Sequence, residues 1–203
     1  MRKYIAAVVL LIAAAAVFTQ VAAKEPSNET AIGKPVPKFT LEDQNGKTVA
    51  LDDYKGKIVV LEWFNEQCPF VEKHYSTGHM NMLAQKYVGS DVAWLLINSS
   101  HFATNDSNLR AAHDWKIDRP ILNDASGKVG MAYGAKNTPH MFIINKDQTL
   151  AYRGGIDNKP SKNTADLDGT TNYVAQALDE LKAGKPVSQP ETKPYGCSVK
   201  YAD

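Results

Sequence analysis

Two continuous apolar segments constrain the fold of this chain more than any other feature of its sequence. The segments KIVVLEW, from Lys57, and DVAWLLINSS, from Asp91, have the length of β-strands and carry apolar residues at consecutive positions. Strands of this kind are buried on both faces, as at the centre of a sheet that helices cover on each side. The two segments therefore predict a layered α/β fold.

The segments around these strands predict helices and antiparallel strands. FTLEDQNGKTVALDDY predicts two short strands around the turn Asn45-Gly46, which form an N-terminal β-hairpin extension. MFIIN and TLAYRGGI are close enough in sequence for a second antiparallel hairpin. Three further segments have the apolar spacing of helices: the residues after Cys68 with an interruption at Gly78, residues 105–115, and residues 166–181. We therefore expect a central mixed β-sheet flanked by helices.

Composition divides the chain into three parts. Residues 1–23 contain Arg2, Lys3, the apolar run IAAVVLLIAAAAVF and the small residues Val21-Ala22-Ala23, a pattern typical of a cleaved signal peptide. A retained membrane anchor is the alternative. Residues 24–184 suffice for one domain with its own core, and residues 185–203 predict an irregular C-terminal tail. We expect an exported protein, periplasmic or otherwise extracytoplasmic.

The charge and the cysteine content exclude several classes of function. The formal net charge is +1, and it becomes −1 once Arg2 and Lys3 are removed. A nearly neutral chain is not typical of nucleic-acid binding, and no second long apolar segment predicts a membrane span. The two cysteines, Cys68 and Cys197, are too few for a disulfide scaffold. In an exported protein they suffice for one redox pair.

Cys68 lies where a predicted buried strand meets a predicted helix, in the segment LEWFNEQCPFVEKHY. If Cys68 begins the helix, the unpaired N–H groups of the first turn and the helix dipole favour its thiolate. The thiolate is the reactive form of cysteine, so this position activates the sulfur. Pro69 suits the first helical position, because its missing N–H would have no partner there.

This segment resembles the active-site segment of the thioredoxin superfamily, in particular its exported redoxin-domain branch (AhpC/TSA- and TlpA-like). The segment NTPHMFIINKDQTLAYRGGID resembles the cis-proline loop, strand and hairpin of the same family. The similarity covers about residues 33–183. It implies a thioredoxin-like fold and a set of site residues: a nucleophile at Cys68, a buried acid that moves its proton at Glu62, a cis bond between Thr138 and Pro139, and a substrate face formed by these two residues and Pro69.

The sequence departs from the family pattern at Val71, where a second active-site cysteine would stand. Cys68 therefore cannot close the usual short disulfide. The tail segment KPYGCSVKY, together with CPFV and the following HY, resembles a subgroup of exported redoxin-domain proteins, and Gly196 gives the backbone freedom beside Cys197. We expect Cys68 to attack a substrate sulfur or peroxide and Cys197 to resolve the product. Protein thiols or disulfides and an unidentified redox partner are expected, with no metal and no cofactor.

Three alternatives remain open from the sequence. Cys68 and Cys197 can form a purely structural disulfide, since closing a loop of about 130 residues stabilises by roughly 4–5 kcal/mol. A thiol-dependent peroxidase is the second alternative, although Asn65 and Pro139 replace the hydroxyl residue and the arginine typical of peroxiredoxins. The third is a non-catalytic Cu(I)-binding chaperone of the Sco type, in which His140 would approach the two cysteines.

Overall fold

The computed structural model describes residues 30–202. The segment interpreted as a signal peptide, residues 1–23, lies outside the described residues. Within residues 30–202, no helix combines the length and the apolar character that crossing a membrane would require.

Strands and helices follow one another along the described chain in the order expected of an α/β fold. The strands are β1 (Thr40–Glu42), β2 (Thr48–Ala50), β3 (Ile58–Trp63), β4 (Val92–Asn98), β5 (Ile121–Asn123), β6 (Asn137–Thr138), β7 (His140–Ile144), β8 (Leu150–Gly154) and β9 (Cys197–Ser198). The α-helices are α1 (Pro69–Ser76), α2 (His79–Tyr87), α3 (Asn105–Asp114), α4 (Lys128–Tyr133) and α5 (Tyr173–Lys182). Two short 3-10 helices span Leu51–Tyr54 and Thr164–Leu167.

Seven strands form a central mixed sheet in the order β2-β1-β5-β4-β3-β7-β8. Strands β3, β4 and β5 are parallel, whereas β7 pairs antiparallel with β3 and β8 pairs antiparallel with β7. The hairpin β1–β2 joins the sheet through the pairing of β1 with β5. Strands β3 and β4 are buried along their whole length at the centre. This confirms the mixed α/β fold predicted from their apolar runs.

The sheet separates two hydrophobic clusters, because alternate residues of a strand point to opposite faces. The cluster on one face contains Val60 of β3, Phe64 directly after that strand, Cys68, and residues of α1, α2, α3 and α5. The cluster on the other face contains Trp63 of β3 and residues of α4 and of the tail. Glu62 follows the alternation of Val60 and Phe64, so it points to the same face as Cys68.

The last helix begins later than the sequence predicted. Helical spacing indicated a start near Asp166, but α5 begins at Tyr173. Gly169 adopts a φ of 67° in the intervening loop, which is a conformation outside the right-handed helix. The side chain of Asn172 then caps α5 by accepting a hydrogen bond from a first-turn N–H at 2.8 Å. Asp166 and Leu167 belong instead to the 3-10 helix Thr164–Leu167.

The tail packs against the domain and contains a short strand, whereas the sequence predicted an irregular segment. Strand β9 pairs antiparallel with β6 and places Cys197 opposite Thr138. Upstream, Thr192 Oγ1 lies 2.6 Å from the Tyr152 hydroxyl. Downstream, the Tyr201 hydroxyl donates to a carbonyl in the loop after α4 at 2.8 Å. The tail is therefore attached to the domain on both sides of Cys197.

Candidate active site

Cys68 is the N-cap residue of α1, and Pro69 is the first residue of that helix, as predicted. The turn before the helix is built by Asn65, whose Oδ1 accepts a hydrogen bond from the Gln67 N–H at 2.7 Å. The carbonyl of Asn65 accepts the N–H of Cys68 at 3.1 Å. Because Asn65 also donates from Nδ2 to Ser100 Oγ at 3.1 Å, this buried side chain fixes the approach to the cysteine.

The thiol of Cys68 contacts the loop that carries the cis bond. The Thr138-Pro139 peptide is cis, which confirms the prediction from the sequence. Cys68 Sγ donates to the carbonyl oxygen of Thr138 at 2.9 Å. Both residues are 1% exposed. The sulfur is therefore enclosed between the start of α1 and this loop.

Cys197 reaches the same loop from the tail. Because β9 pairs with β6, the backbone of Cys197 lies opposite Thr138, whose carbonyl contacts the Cys68 thiol. Cys197 is half-buried, and both cysteines are free thiols in this structure. The resemblance implied that Thr138 is part of the face that meets the substrate. In the structure the protein's own tail takes that position.

The pKa values of the two thiols shift in opposite directions. Burial raises the pKa of Cys68, but hydrogen bonds with the side chain of Thr138, with the backbone and side chain of Cys197 and with the Val71 backbone outweigh burial and lower it. Burial, followed by the neighbouring Cys68 sulfur, raises the pKa of Cys197 to about 11. Cys68 therefore ionises more readily than Cys197, and the thiolate forms on Cys68 first.

Glu62 belongs to a buried hydrogen-bond network on the Cys68 face of the sheet. Its carboxylate accepts hydrogen bonds from the Tyr75 hydroxyl at 3.0 Å and from Trp94 Nε1 at 3.0 Å. Burial raises the pKa of Glu62, and the Arg119 charge and the two donors oppose this shift. Within residues 30–202 no hydrogen bond joins Glu62 directly to Cys68, so a proton passing between them requires a bridging group.

A second buried cluster, which the sequence did not reveal, holds the tail beside the cysteines. The Tyr195 hydroxyl donates to Asp157 Oδ1 at 2.8 Å and lies 3.2 Å from His74 Nε2. The side chains of His74 and Asp157 are fully buried. Burial, followed by the charge of Lys73, lowers the pKa of His74 to about 3. We call Tyr195, Asp157 and His74 the tail anchor.

His140, the candidate copper ligand, does not approach Cys68. Met141 shares the hydrophobic cluster of Cys68, so the alternation of β7 directs His140 to the opposite face of the sheet. There its ring centroid lies 4.5 Å from that of Phe142. The expectation that His140 approaches the cysteines was therefore wrong. Among residues 30–202, no three histidine, cysteine or acidic side chains are grouped in a way that could hold a metal ion.

Comparison with known proteins gives the family. A profile of the AhpC/TSA family matches residues 32–153. Thiol-disulfide oxidoreductase ResA of Bacillus thuringiensis is 32% identical over 116 residues, which cover 57% of this chain and 65% of that protein. The chain thus matches slightly less than two thirds of the length of this relative.

Two solved structures are similar over most of the chain. An uncharacterized conserved protein of Geobacillus kaustophilus has a TM-score of 0.76 and 28% identity, covering 87% of this chain and 95% of that one. A hypothetical protein of Sinorhizobium meliloti has a TM-score of 0.73 and 26% identity, covering 87% and 97%. These two proteins therefore share the fold of nearly the whole described chain. A putative thioredoxin of Neisseria meningitidis, with a TM-score of 0.50 and 23% identity, covers 58% of this chain and 77% of that one, so the fold is thioredoxin-like. Because the family profile covers more than half of the sequence, the chain belongs to the AhpC/TSA family.

Proposed function

We propose that this protein is a thiol-disulfide oxidoreductase in which Cys68 is the nucleophile and Cys197 is the resolving thiol. The observation that carries the proposal is the meeting of both cysteines at Thr138, where Cys68 donates to the carbonyl and Cys197 pairs with the backbone. The opposite shifts of the two thiol pKa values support different roles, because the more acidic thiol is the better nucleophile at neutral pH. The relatives named thiol-disulfide oxidoreductase add support from outside the chain.

The proposed reaction consists of two exchange steps. The Cys68 thiolate attacks one sulfur of a substrate disulfide, the substrate S–S bond breaks, and one substrate thiolate leaves. Cys197 then attacks the Cys68 sulfur of the mixed disulfide, and the second substrate thiolate leaves. The substrate gains two electrons, and the protein ends with a Cys68–Cys197 disulfide. Run in reverse, the same steps oxidise a dithiol substrate.

Cys197 would become easier to ionise at the stage where it has to attack. The Cys68 sulfur contributes to the raised pKa of Cys197 through a hydrogen bond and through its charge, after the larger effect of burial. In the mixed disulfide the Cys68 sulfur is neutral and covalently occupied. Its contribution is then lost, so the pKa of Cys197 falls back toward the ordinary thiol value.

Glu62 is proposed to accept or return the proton of the reacting thiol through a bridging group such as a water molecule. Burial raises its pKa, and a raised carboxyl pKa suits a group that exchanges protons near neutral pH. Thr138, Pro139 and Pro69 are proposed to form the surface that meets the substrate, since Thr138 contacts the Cys68 sulfur, Pro139 follows Thr138 through the cis bond, and Pro69 is the first helical residue after Cys68.

We further propose that the protein acts on protein thiols or disulfides in the periplasm or another extracytoplasmic compartment. Residues 1–23 have the pattern of a signal peptide. Compartments outside the cytoplasm are also those in which disulfide chemistry persists.

Trapping of the mixed disulfide tests the assignment of the two cysteines. The wild-type protein and the variants Cys197→Ser and Cys68→Ser are mixed with glutathione disulfide and analysed by mass spectrometry after acid quenching. We expect a glutathione adduct on Cys68 to accumulate in Cys197→Ser, an internal disulfide in the wild type, and slow or no adduct formation in Cys68→Ser. Equal accumulation of the Cys68 adduct in the wild type and in Cys197→Ser would exclude Cys197 as the resolving thiol.

A further inference from the structure

The tail covers the site at which a substrate has to arrive. Strand β9 fills the edge of the cis-proline loop at Thr138, and Cys68 beneath it is 1% exposed. The approach is close at Gly196, where an added Cβ would collide with the carbonyl oxygen of Thr138. A substrate strand and the tail therefore cannot pair with Thr138 at the same time. The tail has to leave for the substrate to reach Cys68, and it has to return for Cys197 to react.

Tyr195 fastens this movable strand to the helix that carries Cys68. Its ring centroid lies 6.0 Å from that of Phe70, and Lys73 Nζ lies 5.8 Å from the ring centroid. Its hydroxyl reaches His74 on the same helix. All three partners belong to α1, two to six residues after Cys68, and Tyr195 itself precedes Cys197 by two residues. One side chain thus couples the positions of both sulfurs.

The hydrogen bonds of the tail anchor have a defined direction. The Tyr195 hydroxyl has one proton, which it donates to Asp157 Oδ1, so the bond to His74 requires Nε2 of the imidazole as donor. In that tautomer Nδ1 carries no proton, and Nδ1 is indeed a buried atom without a hydrogen-bond partner in the described structure. The lowered pKa of His74 agrees with a neutral ring. The tyrosine hydroxyl therefore makes two hydrogen bonds to buried side chains.

We propose that Tyr195 is a positioning residue that sets the balance between the docked and the released tail, and thereby both shields Cys68 and presents Cys197 to it. The shielding part depends only on the geometry of the tail. The presentation of Cys197 rests on the proposed function. Losing the hydroxyl is expected to favour the released tail, which exposes Cys68 and lowers the effective concentration of Cys197.

The shielding is tested without any disulfide chemistry. In the Cys197→Ser background, the rate at which iodoacetamide alkylates Cys68 is measured with and without Tyr195→Phe, across a pH series that separates the thiol pKa from its accessibility. The Tyr195 hydroxyl makes two hydrogen bonds, and a net value of about 0.5–1.5 kcal/mol for each corresponds to roughly 5- to 150-fold faster alkylation when both are lost. Tyr87→Phe is the matched control, because the Tyr87 hydroxyl also donates to a carboxylate, that of Asp179, at 2.8 Å, and its hydrogen-bond partners lie on α2 and α5 and not in the tail. We expect no change in that variant.

The presentation of Cys197 is tested with both cysteines present. The protein is equilibrated in glutathione buffers, and the ratio of the internal disulfide to the Cys68–glutathione adduct is measured. Tyr195→Phe is expected to lower this ratio by the same factor of roughly 5 to 150, and Tyr87→Phe is expected to leave it unchanged. If Tyr195→Phe alters neither alkylation nor this ratio, the positioning role is refuted. If alkylation rises but even the wild type forms no internal disulfide, the proposed function fails while the shielding role stands.

Discussion

Replacement of Gly196 by alanine perturbs the tail at its closest approach to the active site. Gly196 adopts a φ of 131°, a conformation that residues with a Cβ rarely adopt. A Cβ built there would lie 2.8 Å from the carbonyl carbon of Thr138 and closer still to its oxygen. Because both are backbone atoms of the cis-proline loop, they cannot rotate away as a flexible side chain would. We therefore expect β9 to separate from β6 in the variant.

The size of the effect follows from the backbone strain. A residue held in such a sparsely populated conformation costs on the order of 1–3 kcal/mol. Since about 1.4 kcal/mol is a factor of ten, the docked tail should lose roughly 5- to 150-fold in population relative to the released tail. The steric contact adds to this, so the upper half of the range is expected. The folded domain should remain, because the central sheet does not depend on β9.

The assay is the equilibrium between Cys68 and Cys197 in glutathione buffers, read by alkylation and mass spectrometry. Gly196→Ala should lower the effective concentration of Cys197 toward Cys68 by the same roughly 5- to 150-fold. Gly46→Ala is the control, because Gly46 also has a positive φ, of 76°, but an added Cβ there would meet nothing within 4 Å. That variant should lose stability without changing the thiol equilibrium. An unchanged equilibrium in Gly196→Ala would refute the claim that β9 presents Cys197.

Two further predictions concern the buried titratable groups. Glu62→Gln should slow disulfide exchange at pH 7 by at least about tenfold, because a positioned acid or base contributes that much or more. The pKa of Cys68, measured by alkylation, should stay the same. An unaltered exchange rate would remove Glu62 from the mechanism. The free energy of unfolding, measured with urea, should fall as the pH drops below 6.5, because burial lowers the pKa values of His74 and His140 to about 3 and only the unfolded chain gains those protons. His140→Leu should reduce this slope by up to about 1.4 kcal/mol per pH unit, and an identical slope would contradict a buried neutral ring.

The parts of the fold that sequence predicted well depend on local patterns. The continuous apolar runs of β3 and β4 identified the central strands, since a strand buried on both faces has no polar alternation. The position of Cys68 as an N-cap followed from the strand before it and from Pro69 after it. The cis bond at Pro139 came from resemblance to the family, because sequence periodicity alone does not distinguish a cis from a trans proline.

The tail could not be predicted in the same way, because its structure depends on contacts between distant residues. Strand β9 has two residues and no apolar period, and it is defined by its pairing with β6, about 60 residues earlier in the chain. Tyr195 and His74 are 121 positions apart, so no local pattern connects them. His74 lies on α1 six residues after Cys68, a place that suits contact with the tail.

The direction of the His140 side chain could not be predicted from the sequence for a different reason. Its position after Pro139 suggested proximity to Cys68, because the proline loop faces the cysteine. The first residue of β7 is His140 itself, however, and its side chain therefore follows the alternation of the strand and not the direction of the loop. The face to which a side chain points is fixed by the residue at which the strand begins, and strand boundaries are the least predictable feature of a sequence.

The central claim is that Cys68 and Cys197 form a catalytic redox pair, and its most direct test is the reduction potential of that pair. Residues 24–203 are equilibrated in graded glutathione or dithiothreitol buffers, and the fraction of internal disulfide is read by thiol alkylation. A catalytic pair is expected to have a potential between about −120 and −270 mV, and the value indicates whether the protein oxidises or reduces its substrates. A potential below about −300 mV would instead identify a structural disulfide, and the absence of an internal disulfide at every buffer composition would exclude a redox pair.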